Sequence, residues 1–151
     1  MFKRQIFLLI SALAITIGAT GCTVVREFPD AEKVTDRKQA EHDLARQLLH
    51  AFIKGEAAKF VSLLPEDMQK KFDKDSFKTY RKKVVDSIGE PISFTYLTSL
   101  ELQALTPQIW KVRFRRTDNK SGMEFTSEVL FRIITGMSDK KTAVITSFQF
   151  I

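Results

Sequence analysis

The spacing of apolar residues changes once along this chain, close to Gly89 and Pro91. Before that point apolar residues recur about every 3.6 positions, and after it they alternate with polar ones at a period of about 2. The first period is that of an amphipathic α-helix and the second that of a half-buried β-strand. Helices followed by strands are typical of an α+β fold, in which the helices pack on one face of an antiparallel sheet.

Three to four helices are predicted in the first half. The first begins at Asp36 and ends at Gly55, a natural C-terminal stop. A short second helix covers residues 56–64, Pro65 starts another turn, and Asp75 is the predicted N-cap of the last helix. The apolar positions on these helices are Ala40, Leu44, Leu48, Leu49, Ala51 and Phe52, then Ala57, Phe60, Val61 and Leu64, then Met68 and Phe72, and finally Phe77, Tyr80, Val84 and Ile88.

Four strands are predicted in the second half. Asn119-Lys-Ser-Gly122 is typical of a hairpin turn, residues 136–140 form another turn, and a bulge is expected near Thr98. Pairing around the first turn places Trp110 opposite Phe131, Val112 opposite Val129 and Arg113 opposite Glu128. The apolar positions on the strands are Ile92, Phe94, Tyr96, Leu100 and Leu102, then Trp110, Val112 and Phe114, then Phe125, Val129, Phe131 and Ile133, and finally Val144, Thr146, Phe148 and Phe150.

Four segments within residues 36–151 carry a family resemblance: Ala51-Phe-Ile-Lys-Gly-Glu56, Phe60-Val-Ser-Leu-Leu-Pro-Glu66, Trp110-Lys-Val-Arg-Phe114 and Phe148-Gln-Phe150. With this order of elements the chain is similar to the NTF2-like (cystatin-like) superfamily, and in particular to small bacterial lipoproteins of that group. The resemblance implies a curved four-stranded sheet that wraps a long first helix, and it brings no functional residue with it. A plain meander with cover helices and a single-helix cystatin-like fold are the alternatives.

The N-terminus has the three parts of a secretory signal. Lys3 and Arg4 are positive, residues 6–17 are mostly apolar, and residues 18–21 are small. The apolar run is shorter than the roughly 20 residues that span a bilayer. Ala19-Thr-Gly-Cys22 resembles the lipobox of bacterial lipoproteins, which implies cleavage after residue 21, a thioether-linked lipid on Cys22 and acylation of its freed amine. Cys22 is the only cysteine in the chain.

This resemblance predicts a signal peptide at residues 1–21, a lipid-anchored tether at residues 22–35 and one domain at residues 36–151. Thr23, rather than aspartate, follows the cysteine, which favours the outer membrane and a domain that faces the periplasm. A secreted protein with a free cysteine and an uncut membrane anchor are the alternatives. Without Lys3 and Arg4 the net charge falls from +6 to +4, which is too mild to indicate nucleic acid as a partner.

Few residues suggest catalysis or a cofactor. His42 and His50 lie about 12 Å apart along the first helix, so they cannot share a metal ion, and both are expected at the surface. The serines lack the glycine context of a nucleophile elbow. The superfamily that the chain resembles includes enzymes with an acid or base in the mouth of the cone that the curved sheet forms. The resemblance makes Tyr80, Tyr96 and Asp86 the candidates for this role, but Tyr80 is expected to fill the helix–sheet interface. We therefore predict no metal, no other cofactor and no enzyme.

Basic residues suggest binding instead. Lys111, Arg113 and Arg115 alternate along one strand, and together with Tyr96 they are the predicted ligand-facing residues. Such a row suits a small anionic ligand, lipid headgroups or an acidic polymer. The alternative is that Glu124 and Glu128 on the next strand neutralise the row. Arg81-Lys-Lys83 is expected on the solvated side of its helix.

The sequence thus predicts a non-enzymatic envelope lipoprotein whose open sheet face binds a small ligand or another envelope protein. The alternatives are a small hydrolase or isomerase that acts in the cone, and a structural homodimer formed through the sheet.

Overall fold

A computed structural model of the chain describes residues 36–100, 102, 104–118 and 120–151. The predicted signal peptide, Cys22 and the tether at residues 22–35 lie outside the described residues, as does Asn119 of the predicted hairpin turn. The described residues form helices first and strands afterwards, which confirms the predicted α+β order. These elements are α1 (Asp36–Lys54), α2 (Ala57–Ser62), α3 (Glu66–Gln69), α4 (Lys74–Ile88), β1 (Glu90–Ser99), β2 (Leu105–Thr117), β3 (Glu124–Met137) and β4 (Ala143–Phe150).

The start of α4 differs from the prediction by two residues. Asp73, not Asp75, is the N-cap, because its side chain accepts a hydrogen bond of 2.8 Å from the backbone N–H of Ser76. Asp75 lies inside the first turn and forms a 3.0 Å ion pair with Lys78. Both positions are favourable for a carboxylate at a helix N-terminus, which explains why the sequence pattern did not separate them.

Arg81 was expected in solvent, and that prediction is wrong. Its Nε donates to the carbonyl of Phe52 at 2.9 Å and its Nη2 donates to the carbonyl of Ile53 at 3.0 Å. These carbonyls belong to the last turn of α1, which has no intrahelical donors for them. The same guanidinium forms an ion pair with Glu90 at the start of β1. Arg81 therefore joins the end of α1 to α4 and to the sheet.

The strands form one antiparallel sheet in the order β1-β2-β3-β4. The predicted β2–β3 register is confirmed, with Trp110 opposite Phe131, Val112 opposite Val129 and Arg113 opposite Glu128. In β1 a register shift falls between Tyr96 and Thr98, as predicted, and a second falls between Pro91 and Ser93. The second shift leaves Ile92 exposed, while Pro91 on the same strand is buried.

The end of the chain departs from the predicted pattern. β3 continues to Met137, so the turn begins at Ser138 rather than at Gly136. A side chain at Gly136 would lie 3.1 Å from the Leu105 side chain, so this glycine permits close strand packing. In β4 the buried residue is Ile145 and not Val144 or Thr146, because the pairing shifts at Thr146.

The core lies between the helices and one face of the sheet. α1 contacts all four strands, and α2 packs against both α1 and α4. Five of the six largest fully buried side chains among the described residues are phenylalanines: Phe52, Phe60, Phe77, Phe114 and Phe131. Tyr80 lies among them, against Phe52, Phe72 and Phe148, as predicted. Within the part of the chain described here, no helix has the length and hydropathy needed to span a membrane.

Candidate functional site

The four predicted ligand-facing residues lie on opposite faces of the sheet. Tyr96 pairs with Trp110, which is buried beneath the helices. Lys111, Arg113 and Arg115 alternate with the buried residues of β2, so they lie on the outer face. Tyr96 therefore cannot form one site with the basic row.

The basic row of the outer face is partly neutralised. Glu128 lies 3.1 Å from the Nζ of Lys111 and 3.0 Å from the Nη2 of Arg113. Hydrogen bonds from Lys111 first, and then from Arg113, lower the pKa of the Glu128 carboxyl. This supports the expected neutralisation by Glu128, whereas Glu124 pairs in register with Thr117. Arg115 lies between Glu90 and Thr126 in the register.

A second group of residues lies where α1 meets β1. His42 was predicted at the surface, but it is half-buried: its ring centroid is 5.0 Å from that of Trp110 and 5.0 Å from that of Tyr96. Phe94 meets the same indole edge-on at 5.7 Å. One and two helical turns beyond His42, the exposed side chains of Arg46 and His50 follow on α1. We call this set the aromatic groove: His42, Arg46, His50, Phe94, Tyr96 and Trp110.

A cavity opens at one end of the aromatic groove. Its volume is about 290 Å³, and it is lined by Arg46, Gln47, His50 and Phe94. Arg46 also forms a 3.2 Å ion pair with Asp43 at the rim. The volume is just below the roughly 300–1,000 Å³ that small-molecule sites occupy. The groove thus combines an aromatic wall with a cationic edge.

Trp110 carries an unpaired donor in the groove. Its side chain is 1% exposed, and its indole N–H has no acceptor within the described residues. A buried donor without a partner costs about 1–3 kcal/mol. An acceptor atom of a ligand or a water molecule would satisfy this N–H.

A buried polar cluster lies at the N-terminal end of α1, and sequence reasoning missed it. Glu41 is fully buried; it accepts a 3.0 Å hydrogen bond from the Nε of Arg37 and one of 3.4 Å from the hydroxyl of Thr135. Gln108 donates to the backbone carbonyl of Glu41 at 3.1 Å and to Thr135 at 3.2 Å. The available signal was the position of Glu41 on the same helix face as Leu48 and Phe52.

The residues proposed for acid–base chemistry are separated. Asp86 is on the exposed side of α4, where it pairs with Lys82 at 2.6 Å. Tyr96 is 39% exposed, and its hydroxyl donates to Ser99 at 2.9 Å. Among the described residues, no group of three or more histidine, cysteine, aspartate or glutamate side chains lies close enough to hold a metal ion.

The solved structures that match this chain are distant from it in sequence. A ketosteroid isomerase-like protein from Erwinia carotovora atroseptica is 8% identical, with a TM-score of 0.57 over 77% of this chain and 95% of its own. A Shewanella frigidimarina protein, provisionally named a ketosteroid isomerase, is 10% identical with a TM-score of 0.48 over 77% of this chain and 98% of its own. A third protein, whose name includes the label NTF2, is 12% identical, with a TM-score of 0.49 over 77% of this chain and 100% of its own.

The similarity to the Erwinia protein shows the fold alone, which is ketosteroid isomerase-like (NTF2-like). No protein-family model matches the chain. No curated protein matches it significantly.

Proposed function

We propose that this NTF2-like domain is a lipid-anchored binding module of the bacterial envelope that holds a small anionic ligand in the aromatic groove without transforming it. Cys22 carries the lipid, and the domain faces the periplasm from the outer membrane. The lipobox-like Ala19-Thr-Gly-Cys22 supports the anchor. The ligand has a planar apolar body and an acidic group, and an envelope protein that presents such a group is the alternative partner.

The observation that carries the ligand proposal is the enclosed indole of Trp110. Three rings surround it, and its N–H has no acceptor among the described residues. Phe94, which contacts the indole, lines the cavity together with Arg46. A planar anion would stack on the rings, give an oxygen to the indole N–H and place its charge at Arg46.

Two arrangements support binding rather than catalysis. A cluster of buried hydrophobic side chains, in which the phenylalanine rings are the most numerous large members, packs between the helices and the sheet. The buried carboxylate of Glu41 already accepts hydrogen bonds from Arg37 and Thr135. A hydrolase or isomerase with Tyr96 as its acid or base is the alternative. The isomerase names of the distant structures do not support it, because the identities of 8% and 10% carry only the fold.

The ligand proposal can be tested at one atom. Trp110 is the only tryptophan, so the ¹⁵N-labelled mature chain in detergent gives one indole N–H signal in a two-dimensional NMR spectrum. Titration with 2-naphthoate, a planar aromatic carboxylate, should move this signal downfield to saturation. The neutral analogue 2-naphthylmethanol should bind about tenfold more weakly, since it lacks the charge that Arg46 pairs with.

Two matched arginine variants locate the site. Arg46→Ala should weaken naphthoate binding, whereas Arg115→Ala on the outer face should leave it unchanged. If Arg115→Ala has the larger effect, the ligand binds the basic row and the groove proposal is wrong. If no probe shifts the indole signal, the anion-binding groove is also wrong.

The anchor is tested separately by the intact mass of the mature protein from detergent-solubilised membranes. We expect the mass of residues 22–151 plus acyl groups, and the loss of these groups in a Cys22→Ala variant. An unmodified chain in the soluble fraction would exclude lipid anchoring and leave the groove experiment unaffected.

A further inference from the structure

The connection between β1 and β2 presents leucines to solvent. The N–H of Leu100 donates to the carbonyl of Pro107 at 2.9 Å, and the N–H of Leu102 donates to the carbonyl of Leu105 at 3.1 Å. These bonds continue the β1–β2 register, and paired residues two apart share one face of a hairpin. The four side chains therefore lie on one face. We call this set the leucine hairpin: Leu100, Leu102, Leu105 and Pro107.

The three leucines of the leucine hairpin are among the exposed apolar side chains of the described residues. Leu100 is 61% exposed, Leu102 is 56% exposed and Leu105 is 37% exposed. Single exposed leucines are ordinary, but several on one face indicate a surface that contacts an apolar partner.

The chain enters the domain next to this hairpin. The Nη2 of Arg37, in the first turn of α1, donates to the carbonyl of Ala104 at 3.5 Å. Gln108, just beyond the hairpin, donates to the carbonyl of Glu41. Only residues 23–35 separate Cys22 from Asp36, and this stretch reaches at most about 47 Å when fully extended. A lipid on Cys22 therefore keeps a membrane leaflet within reach of the leucines.

A basic side chain lies behind the leucines on the outer face. Ile109 follows Pro107 by two residues on β2, and it pairs with Arg132 of β3. The buried Nε of Arg132 has no acceptor within the described part of the chain. In segments that lie in the headgroup region of a membrane, apolar side chains typically occupy the end of the segment. Basic side chains follow a few residues further along the strands.

We propose that the leucine hairpin inserts into the headgroup–acyl boundary of the leaflet that holds the lipid on Cys22. The N-terminal end of α1 then faces the membrane. This inference rests on the proposed lipid anchor. Three leucines alone would give weak binding, but the anchor makes their insertion intramolecular and raises their effective concentration at the surface.

The test measures the depth of a spin label. Because the thioether consumes the Cys22 thiol, Leu102→Cys gives one reactive thiol on the mature lipidated protein. The protein is labelled with a nitroxide and reconstituted into vesicles of phosphatidylethanolamine and phosphatidylglycerol. Met123→Cys is the control, because Met123 is 57% exposed and lies beyond the opposite end of β2. We expect collisions with a water-soluble nickel chelate to be severalfold rarer at position 102 than at 123, and collisions with oxygen to be more frequent.

A second change checks that the leucines cause the insertion. Leu100→Glu in the Leu102→Cys background should raise the nickel collision rate to that of position 123, with an unchanged circular dichroism spectrum. A lipidated protein whose two labels collide equally with nickel would overturn the hairpin proposal and leave the anchor intact. Protection from both reagents, with dipolar coupling that grows with protein density, would mean that a second copy covers the hairpin, which also overturns it. An unmodified Cys22 would overturn the anchor and this inference together.

Discussion

At the scale of single residues, the two tyrosines show how environment decides role. Tyr80 packs against Phe52, Phe72 and Phe148, and burial raises the pKa of its hydroxyl to about 12. Tyr96 sits at the exposed edge of the aromatic groove, and its hydroxyl bonds to Ser99. Only Tyr96 is placed to meet a ligand.

The raised pKa of Tyr80 predicts a loss of stability in alkali. The contribution of the protonated Tyr80 hydroxyl to the free energy of unfolding is fully present below the unfolded pKa of about 10. This contribution is lost as the pH rises towards the folded pKa of about 12. In a Tyr96→Phe variant Tyr80 is the only tyrosine, so its near-ultraviolet absorbance should titrate at about 12 when folded and at about 10 in denaturant. A folded midpoint close to 10 would mean that water reaches the hydroxyl.

At the scale of elements, the cap of α4 makes a prediction that separates two neighbouring aspartates. The backbone N–H of Ser76 holds the pKa of the Asp73 carboxyl below its usual value. A lowered pKa gives stability that is present above the unfolded pKa and is lost as the pH falls through the folded one. Asp73→Ala should therefore lower the thermal midpoint at neutral pH by more than Asp75→Ala does. The difference should shrink in acid, and equal midpoints at neutral pH would contradict the cap.

The elements that could be predicted were those fixed by local pattern. The β2–β3 register followed from one turn and the alternation of Trp110, Val112 and Phe114, and the structure confirms it. The phase of β4 could not be predicted, because the extra residue at Thr146 has no marker in the sequence. Gly136 was predicted to begin a turn, but it lies in β3, where the absence of a side chain lets the side chain of Leu105 pack close to the backbone.

The candidate site was harder to predict because it depends on contacts between distant elements. Two register shifts in β1 decide that Tyr96 faces Trp110, and only one of them had been predicted. His42 is half-buried because β1 lies against that side of α1, which a helical period alone does not reveal. Arg81 has the sequence pattern of a surface residue. Its role depends on hydrogen bonds to the backbone carbonyls of Phe52 and Ile53, which lie 29 and 28 positions earlier in the chain.

At the scale of the whole molecule, Phe52 joins the helical half to the sheet. Its ring contacts Phe60 of α2, Phe77 and Tyr80 of α4, Phe131 of β3 and Phe150 of β4. A side chain that packs against four elements at once makes their stabilities depend on one another. The described domain should therefore unfold as one cooperative unit.

Replacement of this side chain tests that cooperativity. Phe52→Ala should lower the free energy of unfolding by about 3–5 kcal/mol, because it leaves a cavity in the core. Phe125→Ala, at a side chain that is 51% exposed, should change it by about 0.5 kcal/mol or less. The measurement is urea unfolding followed by Trp110 fluorescence, which reports the sheet, and by far-ultraviolet circular dichroism, which is dominated by the helices. Since total stabilities are about 5–15 kcal/mol, Phe52→Leu provides a milder variant if the alanine protein does not fold. Both probes should give the same midpoint in every variant; a sheet that outlasts the helices would show that Phe52 does not couple them.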